Sequence, residues 1–346
     1  MSGSVAVVIL NWNGKALLEK LLPGVIQHTP GASIYVADNC STDNSIEFLR
    51  ENYPEVSVIL NETNCGFSEG YNRALFSLTE DYFVLLNSDV EVTPHWLEPM
   101  LEILKSDSSI ACCQPKIKDY YNRENFEYAG AAGGYIDRFG YPFCRGRLFT
   151  SLEPDEGQYD DAREIFWASG ACMLIRASLY KECGGLDASF FAHMEEIDLC
   201  WRLINRGYKI YYTPKATVYH MGGGTLSKIS PRKTYLNFRN SLWVLLKNLH
   251  TRELVSTIFI RLILDGIAGI KFIVEGKSSH CLAIIKAHFY CYYSLKNVLS
   301  KRKNTTPKTL KYLPAVYRRS VVHDFFLLKK RKFSDLKIPD STAFPS

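Results

Sequence analysis

Two groups of acidic residues have types and spacing suited to chemistry on a phosphate-bearing substrate. The first is Asn87-Ser88-Asp89, which directly follows an apolar run over residues 82–86. A carboxylate at the end of a buried strand is suited to Mg²⁺ or Mn²⁺, which take oxygen ligands and share their coordination shell with phosphate oxygens. The same three residue types also favour an ordinary turn, so this triplet does not decide the question alone.

The second group is Glu195, Glu196 and Asp198, at the start of a predicted helix over 195–206. Acidic residues stabilise a helix N-terminus, which is the structural interpretation. Consecutive helical residues lie about 100° apart, so one glutamate can cap the helix while the other takes a proton from an acceptor hydroxyl. His220 ends a predicted short strand and is a candidate additional metal ligand, although a histidine in a strand is more often structural.

Alternating strands and helices in the first half must position these groups. Apolar runs predict strands over 5–10, 33–38, 56–60 and 82–86, and helices over 15–27, 43–52 and 67–79 lie between them. This alternation predicts an α/β fold with a doubly wound, mostly parallel sheet, in which ligands bind beyond the carboxyl ends of the strands. Polar, turn-forming residues follow all four strands, which predicts one shared crevice.

The remaining chain divides into three predicted parts. Residues 1–230 form an α/β catalytic domain, within which residues 119–165 are predicted to be loop-rich insertions and residues 171–176, 209–213 and 217–220 to be strands. Residues 231–303 form C-terminal helices, predicted over 232–249, 253–274 and 279–299. Residues 304–346 form a basic, loosely ordered tail.

Charge is unevenly distributed along the chain. Residues 1–225 carry 18 Lys and Arg against 30 Asp and Glu, whereas residues 226–346 carry 23 against 6. The basic part favours an anionic partner, which the charge alone leaves open as anionic lipid, a phosphorylated substrate or nucleic acid. A basic part that serves only solubility is the alternative.

The second C-terminal helix is the predicted contact with a membrane surface. It is largely apolar over 254–274 but carries Arg261, Asp265 and Lys271, three charges that a bilayer span would rarely contain. These charges fall within about 120° of the helical wheel. The pattern predicts either a pair of interfacial amphipathic helices or a hairpin packed on the catalytic domain, and it favours neither strongly.

Cysteine usage and the first residues bear on the cellular compartment. The ten cysteines are scattered and include no Cys-x-x-Cys pair, so a structural zinc site is not expected. The chain opens on an apolar strand without a preceding basic segment. We therefore expect a reducing, cytoplasmic setting.

The ordered motifs resemble those of family 2 inverting glycosyltransferases of the GT-A fold, in the rhamnosyltransferase-like branch of bacterial polysaccharide synthesis. The similar segments cover roughly residues 4–221, each modest alone but consistent in order and spacing. They are VVILNWNG, VADNCSTDNS, NCGFSEGYN, LLNSDVEV, SGACMLIRASLY and GGLDASFFAHMEEIDLCWRLINRGYKIYYTPKATVYH.

The resemblance implies a role for each matching residue. Asp89 and His220 would bind a divalent metal, Mg²⁺ or Mn²⁺, and Glu196 would be the catalytic base, with Glu195 the second choice and Asp198 in support. The residues implied to bind the donor are Asn11, Asn13, Asp38, Asn64, Gly66, Phe67, Asn72, Asn87, Ser88 and Arg239. Two positions depart from the usual pattern: Asn87 stands where the metal motif has its first Asp, and Glu196 stands where Asp is usual.

The implied reaction is a single in-line displacement. It would move a sugar from a UDP-, dTDP- or GDP-linked donor to a hydroxyl of a glycan or of a polyprenyl-diphosphate-linked acceptor. The enzyme would be cytoplasmic and peripheral on the inner face of the plasma membrane, with no nucleic-acid partner. A nucleotidyltransferase would need a Gly-rich phosphate loop and an NAD-dependent oxidoreductase a Gly-x-Gly-x-x-Gly turn, and Asn11-Trp12-Asn13-Gly14 is neither. A non-catalytic sugar-nucleotide binder remains the other alternative.

Overall fold

The structure is a computed structural model that describes residues 3–222, 230–304 and 307–338. The strands of the described residues are β1 (Val5–Asn11), β2 (Ser33–Asp38), β3 (Ser57–Leu60), β4 (Tyr82–Asn87), β5 (Val90–Val92), β6 (Ile110–Asp119), β7 (Gly134–Asp137), β8 (Pro142–Cys144), β9 (Arg147–Leu148), β10 (Ser151–Leu152), β11 (Arg163–Ile165), β12 (Cys172–Arg176), β13 (Lys209–His220) and β14 (Val316–Tyr317). The helices are α1 (Lys15–His28), α2 (Ser45–Asn52), α3 (Gly66–Ser77), α4 (Glu98–Ser106), α5 (Ala177–Glu182), α6 (Glu195–Asn205), α7 (Pro231–Asn248), α8 (Thr251–Val274), α9 (Ser278–Tyr293), α10 (Leu295–Ser300) and α11 (Val321–Phe326).

A large central sheet has the strand order β11-β13-β6-β12-β4-β1-β2-β3. The neighbours β3, β2, β1 and β4 run parallel, and β12 runs antiparallel between β4 and β6. The chain winds outward from β1 to β3 and then returns to the other side of β1 as β4. The point where the winding reverses opens a crevice at the carboxyl ends of β1 and β4, where ligands bind in such sheets. The α/β fold with a doubly wound sheet is confirmed.

Helices cover both faces of this sheet because its central strands are apolar on both sides. In β1, Val7 and Ile9 face a core built with α1, α2 and α4, whereas Ala6 and Val8 face a second core built with α3, α5, α6 and α7. The side chains alternate with the two-residue period of a strand. The polar residues after the strands are therefore left at the rim.

Strand β13 corrects one prediction. The sequence predicts two short strands over 209–213 and 217–220, but the structure has one strand with a register shift between Thr213 and Thr217. The interruption contains Pro214, which has no N–H to donate to a ladder. The strand continues past it, parallel to β6 and antiparallel to β5, and this brings His220 opposite Val90.

A second, smaller sheet replaces the loops predicted over 119–165. Its order is β10-β9-β8-β7-β14, and β14 comes from the tail, parallel to β7. The tail also differs from the predicted loose order over 307–338: the Phe333 ring lies 4.8 Å from that of Tyr135. Burial of its aromatic and aliphatic side chains orders this part of the tail. Residues 305–306 and 339–346 lie outside the described residues.

The C-terminal helices pack on the main domain, and α8 turns its charges inward. Arg261 is 1% exposed and Asp265 is fully buried, so these residues do not form a polar outer surface together with Lys271. The predicted third helix is divided into α9 and α10 around Ser294. Among the described residues, no helix combines the length and the apolar composition that crossing a bilayer needs.

Candidate functional site

Asp38 lies at the floor of the crevice between β1 and β2. Its Oδ2 accepts hydrogen bonds from Asn11 Nδ2 at 2.9 Å and from Ser41 Oγ at 2.6 Å, and its Oδ1 accepts one from the Ser41 amide at 2.8 Å. Asn11 is fully buried, yet among the described residues its Oδ1 has no hydrogen-bond partner. A buried acceptor without a partner is costly unless a ligand or water satisfies it.

The turn after β1 is shaped around the same asparagine. A Cβ at Gly14 would lie 2.4 Å from Asn11 Oδ1, so only glycine fits there. Asn13 has a positive φ of 50°, and its Oδ1 accepts a hydrogen bond from the Thr42 amide at 2.7 Å. Asn13 therefore holds the loop after β2 against the turn after β1, and both loops border the crevice.

The loop before α3 forms the adjoining wall. Asn64 Oδ1 accepts hydrogen bonds from the Gly66 amide and from Asn39 Nδ2, both at 3.1 Å. Gly66 has a φ of 82°, and a Cβ there would lie 2.9 Å from the carbonyl oxygen of Phe191. The Phe67 amide donates to that same carbonyl at 2.9 Å. This wall thus touches the loop that leads into α6.

Asn39 is a residue that sequence reasoning left out of the site. It is buried, and its amide bonds to Asn64 and Gly66 on one side and to Asn61 on the other. Its signal was its place directly after Asp38, at the end of a strand. The structure shows that it links the loops after β2 and β3.

Asp89 and His220 are adjacent, as the metal-site prediction requires. Asp89 Oδ1 lies 3.1 Å from His220 Nε2, and the Met221 amide donates to the Asp89 carbonyl at 3.0 Å. The pairing of β5 with β13 produces this contact across 131 residues of sequence. Burial lowers the pKa of His220, but hydrogen bonds to Asp89 and Glu127 outweigh burial and raise it to about 10.

Glu127 completes this cluster and was missed by sequence reasoning. Its Oε2 lies 3.2 Å from His220 Nδ1, so the imidazole sits between two carboxylates. Glu127 is 5% exposed. The insertion that carries it has no periodic sequence pattern that would indicate a site. A carboxylate on the second ring nitrogen of a metal-binding histidine fixes the tautomer and the ring orientation.

The pair of donors fits a divalent cation that shares its ligands with a substrate. One carboxylate oxygen and one imidazole nitrogen converge; the carboxylate suits Mn²⁺ or Mg²⁺, and the imidazole would bind the cation after losing the proton that it holds between the two carboxylates. In the part of the chain that the structure describes, no cluster of three His, Cys, Asp or Glu side chains is arranged to hold a metal alone. The remaining ligands would be water and diphosphate oxygens.

Glu195 and Glu196 begin α6 with buried carboxylates. In the described structure neither Glu195 Oε2 nor Glu196 Oε2 has a hydrogen-bond partner, although both atoms are shielded from solvent. Burial raises the pKa of Glu196 to about 7. Burial and the adjacent charge of Glu196 raise the pKa of Glu195 well above its usual range. Glu196 therefore has the acid–base character expected of a group that exchanges a proton near neutral pH.

The backbone just before α6 is strained. Phe191, His193 and Met194 have φ values of 65°, 70° and 75°, which L residues rarely adopt. The buried Asn240 of α7 holds this loop, donating from Nδ2 to the carbonyls of Ala192 at 2.8 Å and His193 at 2.7 Å. Asn240 was not among the predicted site residues, although Arg239 beside it was.

Glu196 lies beside Gly170, which leads into β12. A Cβ at Gly170 would be 3.9 Å from Glu196 Cβ, and the next carbonyl, of Ala171, accepts from the Asn87 amide at 3.0 Å. Burial raises the pKa of the Cys144 thiol above its usual value. Arg147 lowers this pKa, and the charges of Glu127 and Glu196 raise it.

Ser88 lies at the rim of the crevice. Its Oγ is 3.8 Å from the position that a Cβ would take at Gly14. Asn87 ends β4 and lies opposite Leu10 of β1 in the parallel register. The turn after β4 therefore meets the turn after β1, and this junction is where the sheet reverses its winding.

Asp198 lies deeper, between α6 and α7. It is fully buried, and it accepts hydrogen bonds from Arg202 Nε at 2.8 Å, Lys247 Nζ at 2.7 Å and Asn248 Nδ2 at 2.8 Å. Burial raises the pKa of Asp198, but Lys247 and Arg202 outweigh it and lower the pKa overall. These contacts join the two helices, and a supporting role stays a prediction.

Two residues predicted to bind the donor also make interior contacts. Asn72 Nδ2 donates to the Leu186 carbonyl at 2.7 Å, and its Oδ1 accepts from Tyr180 at 2.7 Å. The Arg239 guanidinium donates to the Phe190 carbonyl at 2.9 Å and lies 4.5 Å from the Trp243 ring. Both side chains position the segment before α6, and direct donor contact by either stays a prediction.

Comparison with known proteins now gives the family. Residues 6–184 match the family model for "Glycosyl transferase family 2". The chain belongs to glycosyl transferase family 2. It is also 27% identical over 236 residues to "N-acetylglucosaminyl-diphospho-decaprenol L-rhamnosyltransferase" of Mycobacterium tuberculosis, an alignment that covers 64% of this chain and 76% of that protein.

Solved structures agree with this family 2 assignment at the level of the fold. GalNAc-T7, crystallised with UDP, GalNAc and Mn²⁺, superposes with a TM-score of 0.57 and 21% identity, over 71% of this chain but only 49% of that one. The mannosyltransferase PcManGT of Pyrobaculum calidifontis, crystallised with GDP-Man and Mn²⁺, gives 0.53 and 13%, over 88% and 85% of the two chains. The GT-A fold and the glycosyltransferase class are confirmed, as is the resemblance to the rhamnosyltransferase-like branch.

Proposed function

We propose that this family 2 enzyme transfers a deoxyhexosyl or hexosyl group from a nucleotide-diphosphate sugar to a hydroxyl of a polyprenyl-diphosphate-linked glycan, with inversion. The observation that carries the proposal is the buried carboxylate of Glu196. Its Oε2 atom is shielded from solvent and has no hydrogen-bond partner among the described residues, and burial raises the pKa of the carboxyl to about 7 although the backbone amides of Glu196 and Ile197 lower it in part. A proton acceptor with that pKa suits removal of a hydroxyl proton as the oxygen attacks the anomeric carbon.

Residues at the floor of the crevice would hold the donor. Asp38 would accept a hydrogen bond from the nucleobase, and the unpartnered Oδ1 of Asn11 would accept another. The turns that carry Asn13 and Ser88 would border the ribose and diphosphate. Holding the sugar in line with the acceptor converts a bimolecular step into an effectively unimolecular one.

Asp89 and His220 would hold a divalent cation, with Glu127 fixing the imidazole so that Nε2 faces Asp89. A bound cation would neutralise charge on the departing nucleoside diphosphate. The solved neighbours that contain Mn²⁺ support this assignment at the level of the fold. The proton from the acceptor hydroxyl moves to Glu196, and the bond to the diphosphate breaks as the new glycosidic bond forms.

The acceptor class is proposed from the relative whose name includes an N-acetylglucosaminyl-diphospho-decaprenol substrate. A lipid-linked acceptor would place the enzyme at the cytoplasmic face of the membrane. The basic residues after position 226 would favour the anionic diphosphate and anionic lipid.

A donor panel tests the proposal. UDP-, dTDP- and GDP-sugars would each be incubated with the full chain and a polyprenyl-diphosphate-linked N-acetylglucosamine, with Mn²⁺ or with a chelator. We expect transfer from one donor class, dependent on the cation, and an inverted anomeric configuration by NMR of the product. Donor binding without transfer or hydrolysis would instead indicate a binding protein, and a product of retained configuration would contradict the single displacement.

A further inference from the structure

The outer face of the α8–α9 hairpin is an extended apolar surface. Phe259, Ile263, Ile267 and Ile270 of α8 are 61%, 49%, 58% and 63% exposed. Their spacing of three or four residues places them on one stripe of the helix. Because α8 has 24 residues and each adds about 1.5 Å, the helix that carries this stripe is about 36 Å long.

The opposite face of α8 carries the polar groups and is buried. Arg261 donates to Ser241 Oγ at 2.7 Å, and Asp265 accepts hydrogen bonds from Tyr141 at 2.9 Å and contacts His288 Nε2 at 3.0 Å. The helix is therefore fixed with its apolar stripe outward. An apolar stripe held toward water by paired buried charges marks an interaction surface, since soluble monomers rarely expose such patches without a use.

Basic residues surround this surface. Within residues 251–300, the exposed charged side chains are Arg252, Lys271, Lys277, Lys286, Lys296 and Glu275. Glu275 pairs with Lys271 at 2.6 Å and with Lys277 at 3.1 Å, so the surface keeps an excess of positive charge. A second copy of the chain would bring two such basic rims together and would be opposed by their repulsion. A layer of anionic headgroups would be attracted by them instead.

The tail extends the surface and adds further positive charge. Phe326, Leu327 and Leu328 are 40%, 70% and 49% exposed, and the Lys271 Nζ lies 6.0 Å from the Phe326 ring. The exposed Lys329 and Lys332 follow at once. Apolar side chains beside lysines are the composition of segments that lie in the headgroup region of a bilayer.

A groove adjoins this surface, because Leu282 and Lys286 of α9 belong to its lining. Between α7 and α9 the groove is lined by Arg232, Tyr235, Leu282 and Lys286. Arg232 lies 5.3 Å from the ring of Phe191, in the strained loop before Glu195. Two cations and apolar side chains along one path would suit a lipid diphosphate that enters from the bilayer.

From these observations we infer that the outer α8–α9 face, with 326–332, binds the interface of a bilayer that contains anionic lipid. The hairpin would lie in the plane of the headgroups with Phe259, Ile263 and Ile267 among the upper acyl chains. The groove between α7 and α9 would then open onto the lipid surface. This inference rests on the proposed function for the identity of the lipid-linked acceptor, and on the surface alone for lipid binding.

Co-sedimentation of the full chain with vesicles tests the inference, without donor or acceptor. The vesicles would be phosphatidylcholine alone or phosphatidylcholine mixed with phosphatidylglycerol. We expect binding to the mixed vesicles, and a loss of at least about tenfold in partitioning for Phe259→Ser/Ile263→Ser. The matched control is Leu60→Ser/Tyr121→Ser, which removes two apolar side chains that are 55% and 74% exposed elsewhere on the protein and should bind as wild type does.

A charge variant gives a second, independent measurement. Lys329→Gln/Lys332→Gln should weaken binding to the mixed vesicles roughly tenfold or more and leave binding to phosphatidylcholine unchanged. Equal binding by wild type and both variants would overturn the inference. So would a dimer, measured by light scattering, that Phe259→Ser/Ile263→Ser converts to monomer while wild type does not bind vesicles.

Transfer to a short-chain, water-soluble acceptor separates this inference from the proposed function. Phe259→Ser/Ile263→Ser should keep the wild-type rate on that acceptor, because neither residue lies at the crevice. Lost vesicle binding with retained transfer is the result we expect for the variant. If the wild-type protein transfers the sugar but does not bind vesicles, the proposed function is supported and the lipid-binding surface is refuted.

Discussion

Two helices of this protein bury ionisable side chains in opposite ways. In α8, Arg261 and Asp265 lie 3.4 Å apart, and Asp265 also contacts Tyr141 and His288. At the start of α6, the Oε2 atoms of Glu195 and Glu196 are buried without a hydrogen-bond partner among the described residues. Arg261 and Asp265 are at most 1% exposed and pair with each other, whereas Glu195 is 4% exposed, Glu196 is half-buried, and the Oε2 atoms of these two glutamates lack such partners among the described residues.

The difference separates a structural from a chemical use of burial. Desolvation penalises a buried charge by several kcal/mol unless partners compensate it. In α8 the partners are present, and Arg261 keeps the pKa of Asp265 below its usual value although burial alone would raise it. In α6 the backbone amides of Glu196 and Ile197 compensate the Glu196 carboxylate only in part, and burial still raises its pKa to about 7. Such incomplete compensation is expected where a group must exchange a proton.

The largest effect should follow replacement of the incompletely compensated base. Glu196→Gln should lower the transfer rate by roughly 10²–10⁴-fold because the amide cannot accept the hydroxyl proton. Binding of the donor, measured by calorimetry, should stay within about twofold, because the proposed donor contacts are made by other residues, on the turns after β1, β2 and β4. The matched variant is Glu195→Gln, on the same turn of α6, which should retain much more activity. Equal losses in the two variants would refute the assignment of the base to Glu196.

The compensated pair predicts a loss of stability without a defect in chemistry. Arg261→Met removes one partner and leaves Asp265 buried, which should cost ~3–5 kcal/mol in the free energy of unfolding. Denaturant titration measures this value, and the rate per folded molecule should be unchanged. Lys271→Met on the same helix is the control, since its side chain is 57% exposed and should cost less than about 1 kcal/mol. Similar midpoints for the two variants would contradict the contrast between α6 and α8.

Asp38, Asp89, Glu196 and His220 could be named from the sequence because each lies near the end of a strand or the start of a helix and matches a motif of the family. Their roles stay predictions, and the structure places Asp89 beside His220. Glu127 was missed because its contact with His220 depends on the insertion between β6 and β12, which has no periodic pattern.

The sequence also did not predict which face of α8 is buried. The 24-residue α8 shows an apolar stripe and a charged stripe, and periodicity alone does not say which one faces water. The answer depends on Tyr141 and His288, which come from other elements and compensate Asp265. The tail over 307–338 was likewise predicted loose because its partner Tyr135 lies about 200 residues earlier.

Glu127 is an intermediate case, a buried carboxylate that contacts the His220 imidazole and accepts a hydrogen bond from the Ala129 amide. Glu127→Gln should weaken Mn²⁺ binding by roughly 10–100-fold, because the amide no longer orients the His220 imidazole as a carboxylate does. Mn²⁺ affinity can be measured by electron paramagnetic resonance, independently of turnover. The exposed neighbour Glu124→Gln should leave the affinity unchanged. An unaltered affinity in Glu127→Gln would place this carboxylate with the structural pairs of α8.

The smallest effect is the pH dependence that follows from the raised pKa of Glu196. The base must be ionised, so the transfer rate should fall as the pH drops below about 7, and Asp265 should add no inflection there. The free energy of unfolding depends on pH in the opposite direction. Because the folded-state pKa lies above the usual value of 4.5, the native state binds more protons than the unfolded state between these values, and stability decreases as the pH rises through that window.

Glu196→Gln removes this titration and should therefore gain stability over wild type at pH ~8 but not at pH ~4. Chemical denaturation at the two pH values measures the difference. Asp265→Asn has the reverse expectation, because a carboxyl whose pKa is lowered contributes stability above its unfolded pKa, and that contribution disappears in acid. If both variants changed stability in the same direction between the two pH values, the folded-state pKa values of Glu196 and Asp265 would be shifted in the same direction. The contrast between α6 and α8 would then no longer support Glu196 as the base.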